Sequence, residues 1–221
     1  MSAIKFEKVA FEYEKHNPVI EDATFDIKKG EFVFLTGNSG SGKTTIIKSL
    51  YGAIKPIKGS ISVLDFNMNK ISSGKLNKLR RSVGVVFQDY KLIQEWNIEK
   101  NIMLPLLISG YSHDVCEKQV EKMLNYVKLY HKMAKYPKEL SGGEQQRVAV
   151  ARAISHSPDL IIADEPTGNL DEYSASVVMD LFKKVNSVGT TIVIATHRTP
   201  SEFDFDFRHI HISEGKVYAI S

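Results

Sequence analysis

Apolar positions along the chain change period several times, and each change marks an element. Ile4–Val9, Thr24–Ile27, Glu31–Leu35 and Ser60–Val63 are short runs rich in β-branched and aromatic residues, punctuated by Gly30 and Gly59, and they predict strands. A Gly-rich stretch ends at Thr44 and gives way to a helical pattern through Leu50. Leu76–Arg81 reads as a short helix and Val83–Phe87 as a short apolar strand. From Ile98 to about Tyr130 the pattern is helical, with Val115, Val120, Met123, Leu124 and Val127 recurring near helical spacing. Glu144–His156 is a further helix, followed by the strand Leu160–Ala163, the helix Asp171–Val185 and the strand Thr191–Ala195. Alternation of strand and helix over the later two thirds predicts an α/β fold with a mostly parallel sheet, the antiparallel N-terminal strands lying beside it. The helical middle, approximately 89–157, is expected as a subdomain inserted between two strands of one domain spanning 1–221.

Composition narrows the class. The 221 residues are 43% hydrophobic and 25% charged, with 14 Gly and 7 Pro, which excludes collagen-like, disordered and disulfide-stapled chains. A chain of this length can bury a full core as one domain. Its single cysteine, Cys116, forbids an internal disulfide and suits a reducing compartment. Lys5, Glu7, Lys8, Glu12 and Glu14 interrupt residues 1–16, so that stretch is no signal peptide. The longest uncharged segments, Asn101–His113 and Val185–Thr196, fall short of the roughly 18 residues of a membrane-crossing helix, and no span is expected. Lys and Arg number 29 against 26 Asp and Glu, a net charge of +3; this balance does not point to nucleic acid, and no nucleic-acid partner is expected.

Chemistry enters at Gly37-Asn38-Ser39-Gly40-Ser41-Gly42-Lys43-Thr44, which fits the phosphate-binding pattern G-x-x-x-x-G-K-[ST] between a strand and a helix. Glycines let successive backbone N–H groups turn inward around phosphate oxygens, and the helix N-terminus adds partial positive charge. Lys43 is placed to reach the β- and γ-phosphates, and the Thr44 hydroxyl to hold magnesium. Asp159–Glu165 is an apolar strand ending in two carboxylates: Asp164 is placed to hold the magnesium and Glu165 to activate an attacking water. Gln88 and His197 also fall just beyond strand ends, where ligands of open α/β sheets bind, so all these residues are expected to line one crevice. A second Gly-containing loop, Leu140-Ser141-Gly142-Gly143-Glu144-Gln145-Gln146-Arg147, runs into a helix. Ser141 and Glu144 have capping-box spacing, which is one reading. The adjacent glycines suit close backbone approach to a second anion, which is the other.

In this order and spacing, the phosphate loop, Gln88, Leu140–Gln146, Asp164-Glu165 and His197 resemble the nucleotide-binding domain of ABC-type ATPases over nearly the whole chain. The resemblance implies a P-loop ATPase core with an N-terminal antiparallel β subdomain and a helical subdomain, hydrolysing ATP with Mg2+. It implies that Tyr13 stacks on adenine and that Asn38, Ser39, Gly40, Ser41, Gly42, Lys43, Thr44 and Thr45 bind the phosphates. Ser141, Gly142, Gly143 and Glu144 would meet ATP held by the opposite subunit of a homodimer formed on ATP binding. Thr44, Gln88 and Asp164 would serve the metal, His197 would touch the γ-phosphate, and Asn169-Leu170-Asp171 would join the two sites. Within the family, Val85–Leu92, Leu140–Ala149 and Ala163–Asp171 resemble the FtsE-type cell-division ATPases, which work with an integral membrane protein of the FtsX type. That group sits peripherally at the cytoplasmic face of the plasma membrane and controls peptidoglycan hydrolases. Lipoprotein-release and macrolide-export ATPases share the Ala163–Asp171 run and are the alternative; Asp89 and Tyr90 favour the cell-division group. A soluble ABC ATPase acting on DNA or ribosomes is a further alternative. Asn38 stands where the group often has Pro, and Arg198 follows His197 where Asp is usual.

Other features carry less. Lys75, Lys78, Arg80 and Arg81 form a basic helix face. Leu92, Ile93, Trp96, Ile98, Ile102, Met103 and Leu104 follow Gln88; most are expected in the core, and the resemblance implies that some line a groove for the membrane partner, with Trp96 as its anchor. His209 and His211 alternate along a strand without a metal-ligand pattern around them. Phe203, Phe205 and Phe207 alternate with Asp204 and Asp206 as in a half-buried strand or turn.

Overall fold

The computed structural model describes residues 1–14, 17–197 and 205–220, the side chains of 14, 219 and 220 excepted. Arg198, Phe203 and Asp204 lie outside the described residues. From the N-terminus run β1 (Ser2–Glu14), β2 (Asn17–Lys28), β3 (Phe32–Thr36), α1 (Lys43–Leu50), β4 (Lys58–Val63), β5 (Phe66–Asn67), α2 (Ser73–Arg81) and β6 (Val83–Val86). Then come α3 (Ile98–Ile108), α4 (His113–Tyr126), α5 (Gly142–Ile154), β7 (Leu160–Asp164), α6 (Glu172–Asn186), β8 (Thr191–Thr196), β9 (Arg208–Ser213) and β10 (Lys216–Ile220).

Two sheets form. An antiparallel sheet has the order β2-β1-β4-β5, and a second has the order β10-β9-β3-β8-β7-β6, parallel from β9 to β6. Every residue of β3, β7 and β8 is buried, which is why these segments read as unbroken apolar runs instead of alternating ones. The side-chain period of two still sorts them. Phe32, Phe34, Ile161, Ala163, Ile192 and Ile194 pack with α3, α4, α5 and α6. Val33, Leu35, Leu160, Ile162, Val193 and Ala195 pack with α1 and the antiparallel sheet. Helices therefore cover both faces of the parallel sheet.

The helical middle divides where the chemistry changes. Asn97 caps α3 by accepting the Lys100 N–H at 2.9 Å, and α3 ends at Ile108, three residues after Pro105. Gly110, with φ 87°, turns the chain, and Ser112 precedes α4. The region expected to be helical is thus two helices, and the spacing from Val115 to Val127 belongs to the second and its C-terminal end. The C-terminal hairpin of β9 and β10 is fastened back by Glu21, whose N–H donates to Gly215 O at 3.0 Å. Phe205 and Phe207 precede β9 and set their rings edge-on against Phe32 and Phe34, with centroids 4.8 and 5.2 Å apart. His209 and His211 both reach the Thr36 hydroxyl, His211 Nδ1 at 3.0 Å, so their alternation serves the end of β3. Among the described residues no group of His, Cys, Asp and Glu is arranged to hold a metal by itself.

Phe182 on α6 is fully buried against the parallel sheet. Phe182→Ala is expected to lower the free energy of unfolding by about 3–5 kcal/mol, read from urea denaturation.

Candidate active site

Parallel registry sets the site. Thr36 pairs with Thr196 and Ala195 with Asp164, so the segments leaving β3, β8 and β7 emerge along one sheet edge, with the chain after β6 beside them. At that edge Gly37 is forced: a Cβ there would lie 2.3 Å from the backbone oxygen of Ile212. Gly42 is forced too, with φ 105° and a Cβ that would strike Ile20 at 2.6 Å. The loop between them leaves Asn38, Ser39 and Gly40 exposed. No side chain caps the N-terminus of α1 and no acid lies in its first turn, so its N–H groups stay available to an anion. The Ser41 hydroxyl is buried without a hydrogen-bond partner. Lys43 is buried, its ammonium donating to Gly37 O at 2.8 Å and Asn38 O at 3.0 Å. Tyr13 exposes its ring while its hydroxyl rests 3.1 Å from that of Thr45, holding the ring beside the loop.

Thr44 carries the link from loop to sheet, donating its hydroxyl to Asp164 Oδ2 at 2.9 Å. Burial pushes the Asp164 carboxyl above its ordinary range; the Thr44 hydrogen bond opposes this and the neighbouring Glu165 charge adds to it. A hydroxyl and a desolvated carboxylate converging this closely form an oxygen donor set suited to a hard divalent cation. Glu165 follows with φ 48°, a left-handed conformation that a β-strand exit does not require, while its N–H still donates to Ala195 O at 2.9 Å. That twist turns the carboxylate inward, where Oε2 lies 3.0 Å from His197 Nδ1. Gln88, Tyr90, Gln146 and Glu165 line one small crevice with the loop after Glu165. The expected convergence of phosphate loop, Asp164, Glu165, His197 and Gln88 is therefore present.

The second glycine loop is arranged differently. Ser141 caps α5, its hydroxyl accepting the Glu144 N–H at 3.3 Å while Glu144 Oε2 accepts the Ser141 N–H at 3.0 Å. Glu144 Oε1 pairs with Lys132 at 2.5 Å. Burial pushes the Glu144 carboxyl up, but Lys132 and the Ser141 N–H more than reverse this and hold it below its ordinary value. Both Glu144 oxygens are thus occupied, and the side chain shapes the loop while Ser141 and Gly142 stay exposed. Gly143 packs beside Leu170 and Ser174, and Ser174 in turn joins Arg147 to Asp171, the cap of α6. Among the described residues no hydrogen bond joins Ser141–Glu144 to the phosphate loop of the same chain.

Residues 20–168 match the family model described as ABC transporter. The chain belongs to the ABC transporter family. Among its relatives, the cell division ATP-binding protein FtsE of Streptococcus pneumoniae serotype 2 (strain D39) is 42% identical over 217 residues, covering 98% of this chain and 94% of that protein. FtsE of Escherichia coli K12 is 36% identical, covering 97% of both. Among solved structures, the dimeric post-hydrolysis state of the cassette MJ0796 bound to ADP and Pi superposes with a TM-score of 0.89 at 33% identity, covering 97% of this chain and 96% of that one. This chain is an ABC-type ATPase, and its α/β fold is the P-loop ATPase fold.

The crevice also takes in Tyr90 and Gln146, to which no motif assigns a role there. Gln146 is buried with its amide nitrogen unpartnered. It belongs to the second glycine loop's helix, and no local pattern separates it from the half-buried glutamine beside it.

A carboxyl whose folded pKa exceeds its unfolded value subtracts stability while charged, and that loss disappears as pH falls from the folded pKa to below the unfolded one. Asp164→Asn is therefore expected to unfold at higher urea than the wild type at pH 7, the gap closing as pH is lowered. An earlier midpoint at pH 7 would contradict this account of Asp164.

Proposed function

We propose that two copies of this chain close head to tail over two ATP molecules and drive a membrane complex of cell division, docked on an FtsX-type integral membrane protein at the cytoplasmic face of the plasma membrane. The observation that carries the enzymatic part is the placement of Glu165 beside the Thr44–Asp164 pair, with His197 at 3.0 Å. Lys43 and the free N–H groups of α1 would receive the phosphates, and Tyr13 the adenine face. Thr44, Asp164 and Gln88 would hold magnesium, which would supply positive charge against the phosphates. Glu165 would accept hydrogen bonding from the attacking water and polarise it, and His197 would hold the Glu165 carboxylate and face the γ-phosphate. Ser141 and Gly142 are exposed, and the loop makes no hydrogen bond to its own phosphate loop among the described residues, which supports its use on the ATP of a second copy. A dimeric MJ0796 cassette at 34% identity and TM-score 0.89 supports the same assembly.

The partner's place is a groove of about 710 Å³ walled by α2, β6, α3 and α5. Phe87, Ile93, Leu104 and Ile108 give it an apolar floor, Arg80, Arg81, Lys91 and Arg152 line it, and no acidic residue does. Ile98 and Ile102 are core residues, and Trp96, the expected anchor, is exposed but stands outside the groove lining. Leu104 and Ile108 take its place as anchors. Among the described residues no helix is long and apolar enough to cross a membrane, so attachment rests on this groove.

Glu165→Gln is expected to keep ATP affinity while kcat falls roughly 10²- to 10⁴-fold; undiminished turnover would sink the assignment. Captured from detergent-solubilised membranes with ATP and magnesium, the same variant should recover an FtsX-type protein. A lipoprotein or drug permease in its place would redirect the pathway. Ile108→Asp, at a position 55% exposed, is expected to bind ATP with wild-type affinity and lose the membrane partner in that capture.

A further inference from the structure

The chain just beyond Gln88 is held in an improbable shape. Phe87 O accepts the Tyr90 N–H at 3.1 Å, closing a tight turn whose two central residues are Gln88 and Asp89. The next two residues, Tyr90 with φ 60° and Lys91 with φ 47°, are both left-handed and neither is glycine. Two successive L-residues in that region persist only where the surroundings over-determine them. Lys91 pairs with Asp89 at 2.6 Å, and a single side chain grips both backbone carbonyls. Arg152 of α5 donates from one terminal nitrogen to Tyr90 O at 2.7 Å and from the other to Lys91 O at 2.7 Å. The guanidinium fork suits this two-point grip, which a single ammonium does not reproduce. Tyr90 also touches the other end of the same helix: a Cβ at Gly142 would lie 3.2 Å from its hydroxyl. Arg152 and Lys91 both line the groove assigned to the membrane partner, while Gln88 and Tyr90 line the crevice holding Glu165.

We infer that Tyr90–Lys91 is a strained latch and Arg152 its clasp, a positioning residue that sets Gln88 at the reaction centre. The inference rests on the proposed role of Gln88 in turnover. Without the clasp, the two residues relax toward right-handed backbone, the turn closed by Phe87 and Tyr90 opens, and Gln88 leaves its place. A nucleotide held by Lys43 and the phosphate loop does not feel this directly.

The test is a set of steady-state ATPase measurements on the full chain, with fluorescent-nucleotide binding and thermal melting as folding controls. Arg152→Met removes the donors at similar length and is expected to lower kcat roughly tenfold while KM for ATP stays within about twofold. Adding Lys91→Gly at this exposed position lets the left-handed backbone form without a Cβ penalty, and is expected to recover kcat roughly threefold. A merely structural arginine would show no such rescue. Should Arg152→Met fail to fold, Arg152→Lys, with and without Lys91→Gly, is expected to show a smaller loss and the same recovery. Wild-type kcat in the arginine variant, or a loss that Lys91→Gly leaves in place, overturns the latch provided Gln88→Ala lowers kcat. An unchanged kcat in Gln88→Ala overturns the reading of Gln88 itself, and the latch with it.

Discussion

The in-register parallel pairing of β3, β8 and β7 is the constraint on which the remainder depends. Its ladder places Thr36 beside Thr196 and Ala195 beside Asp164, so three chain segments far apart in sequence leave the sheet together. Parallel strands buried on both faces can slip only by exposing apolar residues and breaking a full ladder, which makes the registry stiff. A stiff edge is what an ATPase needs: its chemistry is positioning and charge stabilisation, both sensitive to displacements smaller than a bond length. The Thr44–Asp164 hydrogen bond then fastens the phosphate loop to this edge from the opposite side.

Strain and desolvation meet where the sheet ends. Asp164 carries a carboxylate that burial disfavours, and Glu165 a backbone angle that a non-glycine residue avoids. Tyr90 and Lys91 add two more such angles. None of these features helps the chain fold; each aims a functional group or holds one ready. The well-packed cores on both faces of the sheet supply the stability that lets the edge remain strained.

Helix α5 connects functions that lie at different places. Its first residues present an open glycine loop shaped by the Ser141–Glu144 box and the Lys132 ion pair, its middle contributes Gln146 to the catalytic crevice, and its far end lines the basic groove through Arg152. Among the described residues no acid lines the groove, and although Lys91 pairs with the neighbouring Asp89, a docking segment that brings acidic groups over an apolar face would find complementary charge at the arginines.

The local grammar of the chain determined a great deal. The phosphate loop is legible because glycine sterics and a helix start act over a few residues. The strands of the parallel sheet are legible because burial on both faces leaves unbroken apolar runs. The two acids after β7, the polar residues ending β6 and β8, and the box at Ser141 and Glu144 followed from the same reading. Tertiary structure decided what no window of neighbours contains. Thr44 and Asp164 lie 120 residues apart, Arg152 and Tyr90 lie 62 apart, and each pair meets only because sheet order and helix packing bring it together. The resemblance implied Trp96 as the anchor of a partner groove, yet the groove beside α3 is lined by Leu104 and Ile108 and not by Trp96. Local sterics and hydrophobic period act within a turn or a strand, whereas registry and crossing geometry are settled by the whole core at once, and it is these that convert a set of motifs into a site.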